Sequence, residues 1–204
     1  MSTITTLPTP APRSHPAAMP PLPEAVAAAR ALVGQDKPAG LAALDRLFRQ
    51  GAPPSPALNQ RLRGSLLALD IAPGLTWLAQ AITARWLPWQ GKTFDAEKQS
   101  GDNIFSRDSL RLAHLYWPGY TGYTDDGPAA YRAFRFRTYV APGLADPDRQ
   151  VLKIDYDLPE NPAASIRRVL DELVQIDAGL YLGKAHLHWW WGKWQRVAFF
   201  ALQI

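Results

Sequence analysis

Apolar residues recur at helical spacing in the first half of the chain. The alanine-rich segment 24–33 ends at a glycine, and segment 38–49 places three leucines and Phe48 on one face before the next glycine. Proline in a first helical turn and glycine just past the last turn are typical of helix ends. The pattern therefore predicts two short helices here. A third helix is predicted over 74–86, where apolar residues again share a face.

Other segments are short, extended and bounded by proline, glycine or aspartate, which is typical of strands. Strands are predicted over 58–69, 110–117, 130–140 and 151–158. The chain ends in a predicted hairpin, in which 180–191 and 194–202 meet at a tight glycine–lysine turn.

One further helix is predicted to interrupt this series of strands. Asn161 can cap it, a proline suits its first turn, and apolar residues from Ile166 to Leu173 form a buried stripe before Gly179. Strands that are joined by short turns pair in antiparallel fashion. The pattern predicts an α+β fold, in which N-terminal helices precede a curved antiparallel β-sheet or a small barrel with one inserted helix.

The start of the chain has a different composition. Residues 1–23 hold seven of the 19 prolines and lack apolar periodicity, which predicts a disordered leader. The remaining segment, 24–204, is predicted to be a single globular domain, because a chain of 204 residues is long enough for one sizeable core and short for two.

Composition narrows the class of protein. The net charge is only +4 and the basic residues are scattered, so no nucleic-acid partner is expected. The chain has no cysteine, which excludes disulfides and thiol chemistry and fits a cytoplasmic location. We see no signal peptide and no apolar stretch long enough for a membrane span.

Three histidines are candidate metal ligands. His186 and His188 share one face of the predicted hairpin, and His114 could supply a third imidazole. The simpler interpretation is that Lys184, His186 and His188 form the solvent face of a strand. Since no local spacing of three ligands supports a metal site, no metal and no cofactor is expected.

Two other strands carry charged faces. Lys153, Asp155 and Asp157 alternate with apolar residues, and Lys153 and Asp155 become acid–base candidates if that face lines a cavity. Arg135 and Arg137 share a face that could hold a carboxylate or phosphate. In both cases a solvated outer face is the simpler interpretation.

No known catalytic motif is present. The sequence has no Gly-x-Ser-x-Gly elbow, no Gly-x-Gly-x-x-Gly loop and no Walker sequence, so the catalytic residues, if there are any, stay unknown.

A short motif gives a family resemblance. Trp89-Gln90-Gly91-Lys92-Thr93-Phe94 resembles the Trp-x-Gly-Lys-x-Phe signature of GXWXG-domain proteins. Upstream, 60–64 retains only Gly64 of the family's Gly-x-Trp-x-Gly, and the last two strands are loosely similar to the family's. The resemblance implies a small lipocalin-like barrel that holds a lipophilic ligand, and it transfers no catalytic residue.

The chain has eight tryptophans, and an aromatic cluster often lines a core or a ligand cavity. The predicted interior consists of Phe134, Phe136, Ile154, Tyr156, Leu187, Trp189, Phe200 and Leu202. The predicted ligand-binding residues are Trp89, Phe134, Phe136, Tyr156, Tyr181 and Trp189.

Three functions are compatible with these patterns. The first is binding of a small lipophilic or aromatic molecule in the barrel. The second is an enzyme, such as an isomerase, cyclase or hydrolase, whose titratable groups come from Lys153, Asp155, His186 and His188. The third is an interaction scaffold whose leader recruits a partner. The direction of the Lys184, His186 and His188 face distinguishes the first two, because an inward face favours the enzyme.

Overall fold

Two helices open the part of the chain that the computed structural model describes, which comprises residues 21–55, 57–71 and 89–204. They are α1 (Glu24–Gln35) and α2 (Lys37–Gln50). The side chain of Asp36 caps α2 by accepting a hydrogen bond from the amide of Ala39, at 3.1 Å. The first two predicted helices are confirmed. The predicted helix over 74–86 lies outside the described residues, as does the leader up to residue 20.

Nine strands and one short helix follow within the described ranges. The strands are β1 (Arg61–Leu69), β2 (Trp89–Asp95), β3 (Ser100–Ser106), β4 (Thr124–Asp125), β5 (Ala130–Pro142), β6 (Gln150–Asp155), β7 (Val169–Asp177), β8 (Leu180–His188) and β9 (Trp194–Gln203). Helix α3 (Leu110–Tyr116) lies between β3 and β4, and 3₁₀ turns occur at Arg107–Ser109 and Ile166–Arg168.

The strands close into an antiparallel barrel. Their order is β3-β2-β1-β9-β8-β7-β6-β5-β4, and a further pairing of β3 with β5 joins the two ends. Eight strands therefore form the barrel, and the two-residue β4 adds to the edge of β5. The predicted α+β fold with a lipocalin-like barrel is confirmed.

Apolar side chains pack on both faces of the barrel wall. The inner face carries Phe134, Phe136, Ile154, Tyr156, Phe200 and Leu202, which are all buried. The outer face of β7–β9 packs Val174, Leu182 and Phe199 against Leu44 and Phe48 of α2. The predicted interior is confirmed: Trp189 is also buried, and only Leu187 is half-buried.

The helix predicted from Asn161 is wrong. The segment contains the 3₁₀ turn Ile166–Arg168 and then strand β7. Both faces of β7 are buried, since Asp171 and Leu173 point inward while Glu172 and Val174 point outward. A strand that is buried on both faces does not alternate between apolar and polar residues. The apolar residues of β7 and of the turn before it also match the spacing of one helical face, which led to the wrong prediction.

The strand predicted over 110–117 is also wrong, because this segment forms α3. Its inward positions are Leu110, Ala113 and Trp117, which are spaced as on one helical face, while Leu115 is exposed. The barrel sequence is therefore interrupted by a helix between β3 and β4, where none was predicted. Strands β2 and β3 were not predicted at all. No helix within the described ranges is long and apolar enough to cross a membrane.

Candidate functional site

A cavity of about 210 Å³ lies among the inward-facing side chains of the barrel. Its wall is mainly apolar and aromatic, and the rings that line it are Trp89, Phe105, Trp117, Phe134, Tyr156, Trp189, Trp190 and Phe200. Trp190 lines the cavity and is also 73% exposed, so the cavity reaches the surface at this residue.

An irregularity in β2 brings two functional side chains to the same face. The pairing of β2 with β3 shifts register between Trp89 and Gly91, and Gly91 has a φ of +143°. In a regular strand Trp89 and Lys92 would point to opposite faces. The bulge instead turns both into the cavity. A Cβ atom at Gly91 would collide with the carbonyl of Leu62, so glycine is required here.

Four polar side chains form a buried cluster in the cavity wall, here called the inner cluster: Lys92, Asn103, Tyr156 and Asp171. The ammonium of Lys92 lies 2.9 Å from Asp171 Oδ2 and donates to Asn103 Oδ1 at 2.8 Å. It also donates to the hydroxyl of Tyr156. Since an ammonium has three protons, these three acceptors satisfy Lys92 completely.

The surroundings of the inner cluster fix its protonation. Burial lowers the pKa of Lys92, and the charge of Asp171 opposes that shift. Four aromatic rings surround the ammonium at 5.1–5.4 Å from their centroids and stabilise its charge. Burial, and then the charge of Asp171, raises the pKa of Tyr156 well above its usual value. The tyrosine therefore stays a neutral hydroxyl that can donate to Asp171 Oδ2, 3.2 Å away.

A second polar cluster, here called the outer cluster, lies on the opposite face of the wall. It consists of Lys153, Glu172, Lys184, His186 and Asp146, all of them buried. Lys153 pairs with Glu172, and Lys184 contacts Asp146 at 2.6 Å. Lys184 also contacts Asp45 of α2, at 2.8 Å.

The position of the outer cluster corrects two sequence-based interpretations. The Lys184 and His186 face neither points into the barrel nor faces solvent, because α2 and the 143–149 loop cover it. The face with Lys153 and Asp155 is buried as well, and the carboxylate of Asp155 pairs with Arg137 at 2.7 Å. Solvation was wrongly expected for both faces, since the sequence does not reveal which outer surface a helix or loop covers.

The three candidate histidines do not come together. His186 is buried outside the barrel, where burial lowers its pKa. His188 lines the cavity and stacks on Trp194, with 4.7 Å between ring centroids. His114 is exposed on α3 and packs on Tyr123. Among the described residues no group of three potential ligands is close enough to hold a metal ion.

Four of the six predicted ligand-binding residues line the cavity: Trp89, Phe134, Tyr156 and Trp189. Phe136 is buried on the inner face without being part of the cavity lining, and its ring centroid lies 5.4 Å from the ammonium of Lys92. Tyr181 is buried in the core but is not part of the cavity lining.

Three residues of the inner cluster, Lys92, Asn103 and Asp171, were not predicted as site residues from the sequence. Lys92 belongs to the motif that carries the family resemblance, which was a usable signal. Asp171 was hidden by the wrong helix prediction, and Asn103 lies in a strand that was not predicted. Lys92 and Asn103 are cross-strand partners in β2 and β3, so correct strand assignment alone would have joined them.

Comparison with known proteins gives little beyond this geometry. No protein-family model matches the chain, and no curated protein matches it significantly. A crystal structure of a protein from Thermomonospora curvata is similar over 88% of this chain and 97% of its own, with 12% identity and a TM-score of 0.46. That likeness is too distant to support a function, and the resemblance to GXWXG-domain proteins stays a prediction.

Proposed function

We propose that the barrel binds a small lipophilic or aromatic molecule in its cavity. The observation that carries the proposal is the mainly apolar cavity. In its wall, the polar groups of the inner cluster form most of their hydrogen bonds with one another. Ligand sites are typically apolar concavities with a few well-placed polar groups. Because the cavity measures about 210 Å³, below the range of about 300–1,000 Å³ that is typical of such sites, we expect a small ligand.

The opening of the cavity supports exchange of a ligand with solvent. Trp190 and Trp191 are exposed beside the buried Trp189, whose ring stacks on that of Trp191 with 4.7 Å between centroids. Aromatic side chains at an opening offer an apolar molecule a first contact surface. The exposed Trp190 thereby marks a route from solvent into the cavity.

The GXWXG resemblance fits the same proposal. Gly64 of β1 and Trp89 of β2 carry parts of the two family motifs, and a Cβ atom at Gly64 would collide with the indole of Trp89. The glycine therefore gives the indole room to lie along the cavity wall. We infer that the two motif remnants act together to shape the site.

Two measurements test the proposal. Native mass spectrometry of protein purified from its source should reveal a retained small molecule. Titration with a planar hydrophobic probe should quench tryptophan emission saturably, with a micromolar or tighter dissociation constant, which corresponds to about 8 kcal/mol.

A matched pair of variants locates the binding. Ala185→Leu adds bulk to the cavity wall and should weaken probe binding, whereas Arg135→Ala changes the exposed outer face of β5 and should not. Absence of saturable binding to the unmodified protein, together with no retained molecule, would refute the proposal.

An enzyme is the second candidate, and one observation favours it. Asp171 Oδ1 is buried and accepts no hydrogen bond from the described residues, so a carboxylate oxygen beside the cavity is left for a group of the ligand. A carboxylate in an apolar site is a suitable general base for an isomerase. The test is to incubate a recovered ligand with the protein and follow its NMR spectrum, with Asp171→Asn as the inactive control.

A further inference from the structure

Arg168 is a second cation, besides Lys92, in the lining of the mainly apolar cavity. It belongs to the 3₁₀ turn that leads into β7, and its side chain lines the cavity while staying half-buried. Its Nε donates to the backbone carbonyl of His188 at 2.7 Å, which holds the guanidinium in place. No carboxylate of the described residues forms an ion pair with it.

The adjacent arginine is paired. Arg167 Nε lies 2.7 Å from Asp157 Oδ1, and Arg167 does not line the cavity. Within the cavity, Lys92 is already saturated by Asn103, Tyr156 and Asp171. Among the described residues that line the cavity, Arg168 is therefore the cation that keeps donors available for a ligand, because its two terminal nitrogens remain after Nε is used.

The position of Arg168 also fits an elongated ligand. Arg168 lies three positions before Asp171, which is roughly 10 Å between Cα atoms at the rise of an extended strand. Asp171 and Lys92 lie at the inner cluster, whereas Arg168 is held at the carbonyl of His188, two positions before the exposed Trp190, which also lines the cavity. An apolar body can thus occupy the cavity while a polar head stays near the opening.

We propose that the ligand is a small amphipathic carboxylate whose head group binds the Arg168 guanidinium and whose apolar body fills the aromatic cavity. The planar fork of a guanidinium matches a carboxylate through two parallel hydrogen bonds. This inference rests on the proposed function and adds the chemical class of the ligand to it.

The test compares probes that share one apolar body. Isothermal titration calorimetry measures binding of 4-propylbenzoate, 4-propylbenzamide and 4-propylphenyl phosphate to the full chain at pH 7. The benzoate should bind roughly 10- to 100-fold more tightly than the neutral amide, as expected for a charge-assisted hydrogen bond. Added salt should weaken the binding of the benzoate and leave the binding of the amide unchanged.

Two neighbouring variants with the same change in charge complete the test. Arg168→Gln should remove the preference for benzoate over amide, Arg168→Lys should restore part of it, and Arg167→Gln should leave it intact. Far-UV circular dichroism of each variant verifies the fold, and the probe series on the unmodified protein gives an answer even if a variant unfolds.

The outcomes separate the two proposals. Equal binding of benzoate and amide would overturn the carboxylate inference and leave the cavity as a binding site. A phosphate that binds at least tenfold more tightly than the benzoate would overturn the assignment of the head group. Failure of all three probes to bind would overturn this inference, while the native mass spectrum decides the proposed function separately.

Discussion

Replacement of Lys92 by methionine tests the energetics of the inner cluster. Methionine keeps the length of the side chain and removes the charge, so the buried carboxylate of Asp171 loses its ion-pair partner. The side chains of Lys92 and Asp171 are each only 3% exposed, so water cannot compensate for the loss. Removal of one partner from a buried pair costs about 3–5 kcal/mol. We expect Lys92→Met to lower the free energy of unfolding by that amount.

The double variant Lys92→Met/Asp171→Leu separates charge from packing. Replacement of both partners by apolar residues of similar volume is often neutral or stabilising, so the double variant should recover most of the loss. The assay is urea denaturation followed by tryptophan fluorescence and circular dichroism, in which the single variant should lower the midpoint by at least about 1 M.

Lys98→Met is the matched control, because Lys98 pairs with Asp95 at 2.7 Å on the surface and its side chain is 68% exposed. An exposed pair of this kind contributes little, so the control should have an unchanged midpoint. Two results would refute the argument that Lys92→Met leaves an uncompensated buried charge: a cost below about 1 kcal/mol for Lys92→Met, or a double variant that is no more stable than the single one.

Three further predictions concern stability. Trp189→Ala should cost about 3–5 kcal/mol in chemical denaturation, because the residue is buried, and a loss below about 1 kcal/mol would place it on the surface. Gly64→Ala should cost about 1–3 kcal/mol and weaken probe binding, because the added methyl group displaces the Trp89 ring; an unchanged affinity would contradict that role. Burial lowers the pKa of His186 from its usual 6.5, so below about pH 6.5 His186 binds a proton more readily in the unfolded chain than in the folded chain. The free energy of unfolding should therefore fall as the pH drops below about 6.5, and His186→Leu should show a smaller fall; identical pH profiles would exclude His186 as a cause.

The predictable elements of the fold are those whose ends are marked by glycine or proline, or whose sequence alternates between apolar and polar residues. Helices α1 and α2 have glycine and proline at their ends, and the last hairpin turns at Gly192, whose φ is +82°. Strands β5 and β6 keep an apolar alternation, so their inner residues, such as Phe136 and Ile154, were assigned correctly. Local pattern was sufficient for these elements.

The remaining parts depend on contacts between distant segments. Strand β7 was missed because its outer face is covered, which the residues of β7 themselves do not show. Lys92 and Asp171 are 79 positions apart in sequence and meet only when the barrel closes. Charged residues are usually expected on the surface, so the hydrophobic pattern does not predict that a lysine and an aspartate pair inside an aromatic cavity.

The ion pairs between the barrel and α2 have a consequence for how that helix is positioned. Leu44 and Phe48 give α2 an apolar seam, and such a seam is non-directional. A slide of one helical turn, about 5.4 Å, would keep much of this apolar contact. The same slide would carry Asp45 away from Lys184 and leave a buried ammonium with one counter-charge fewer. The ion pair thereby selects one position of α2 along the barrel, whereas burial of apolar surface alone would allow several.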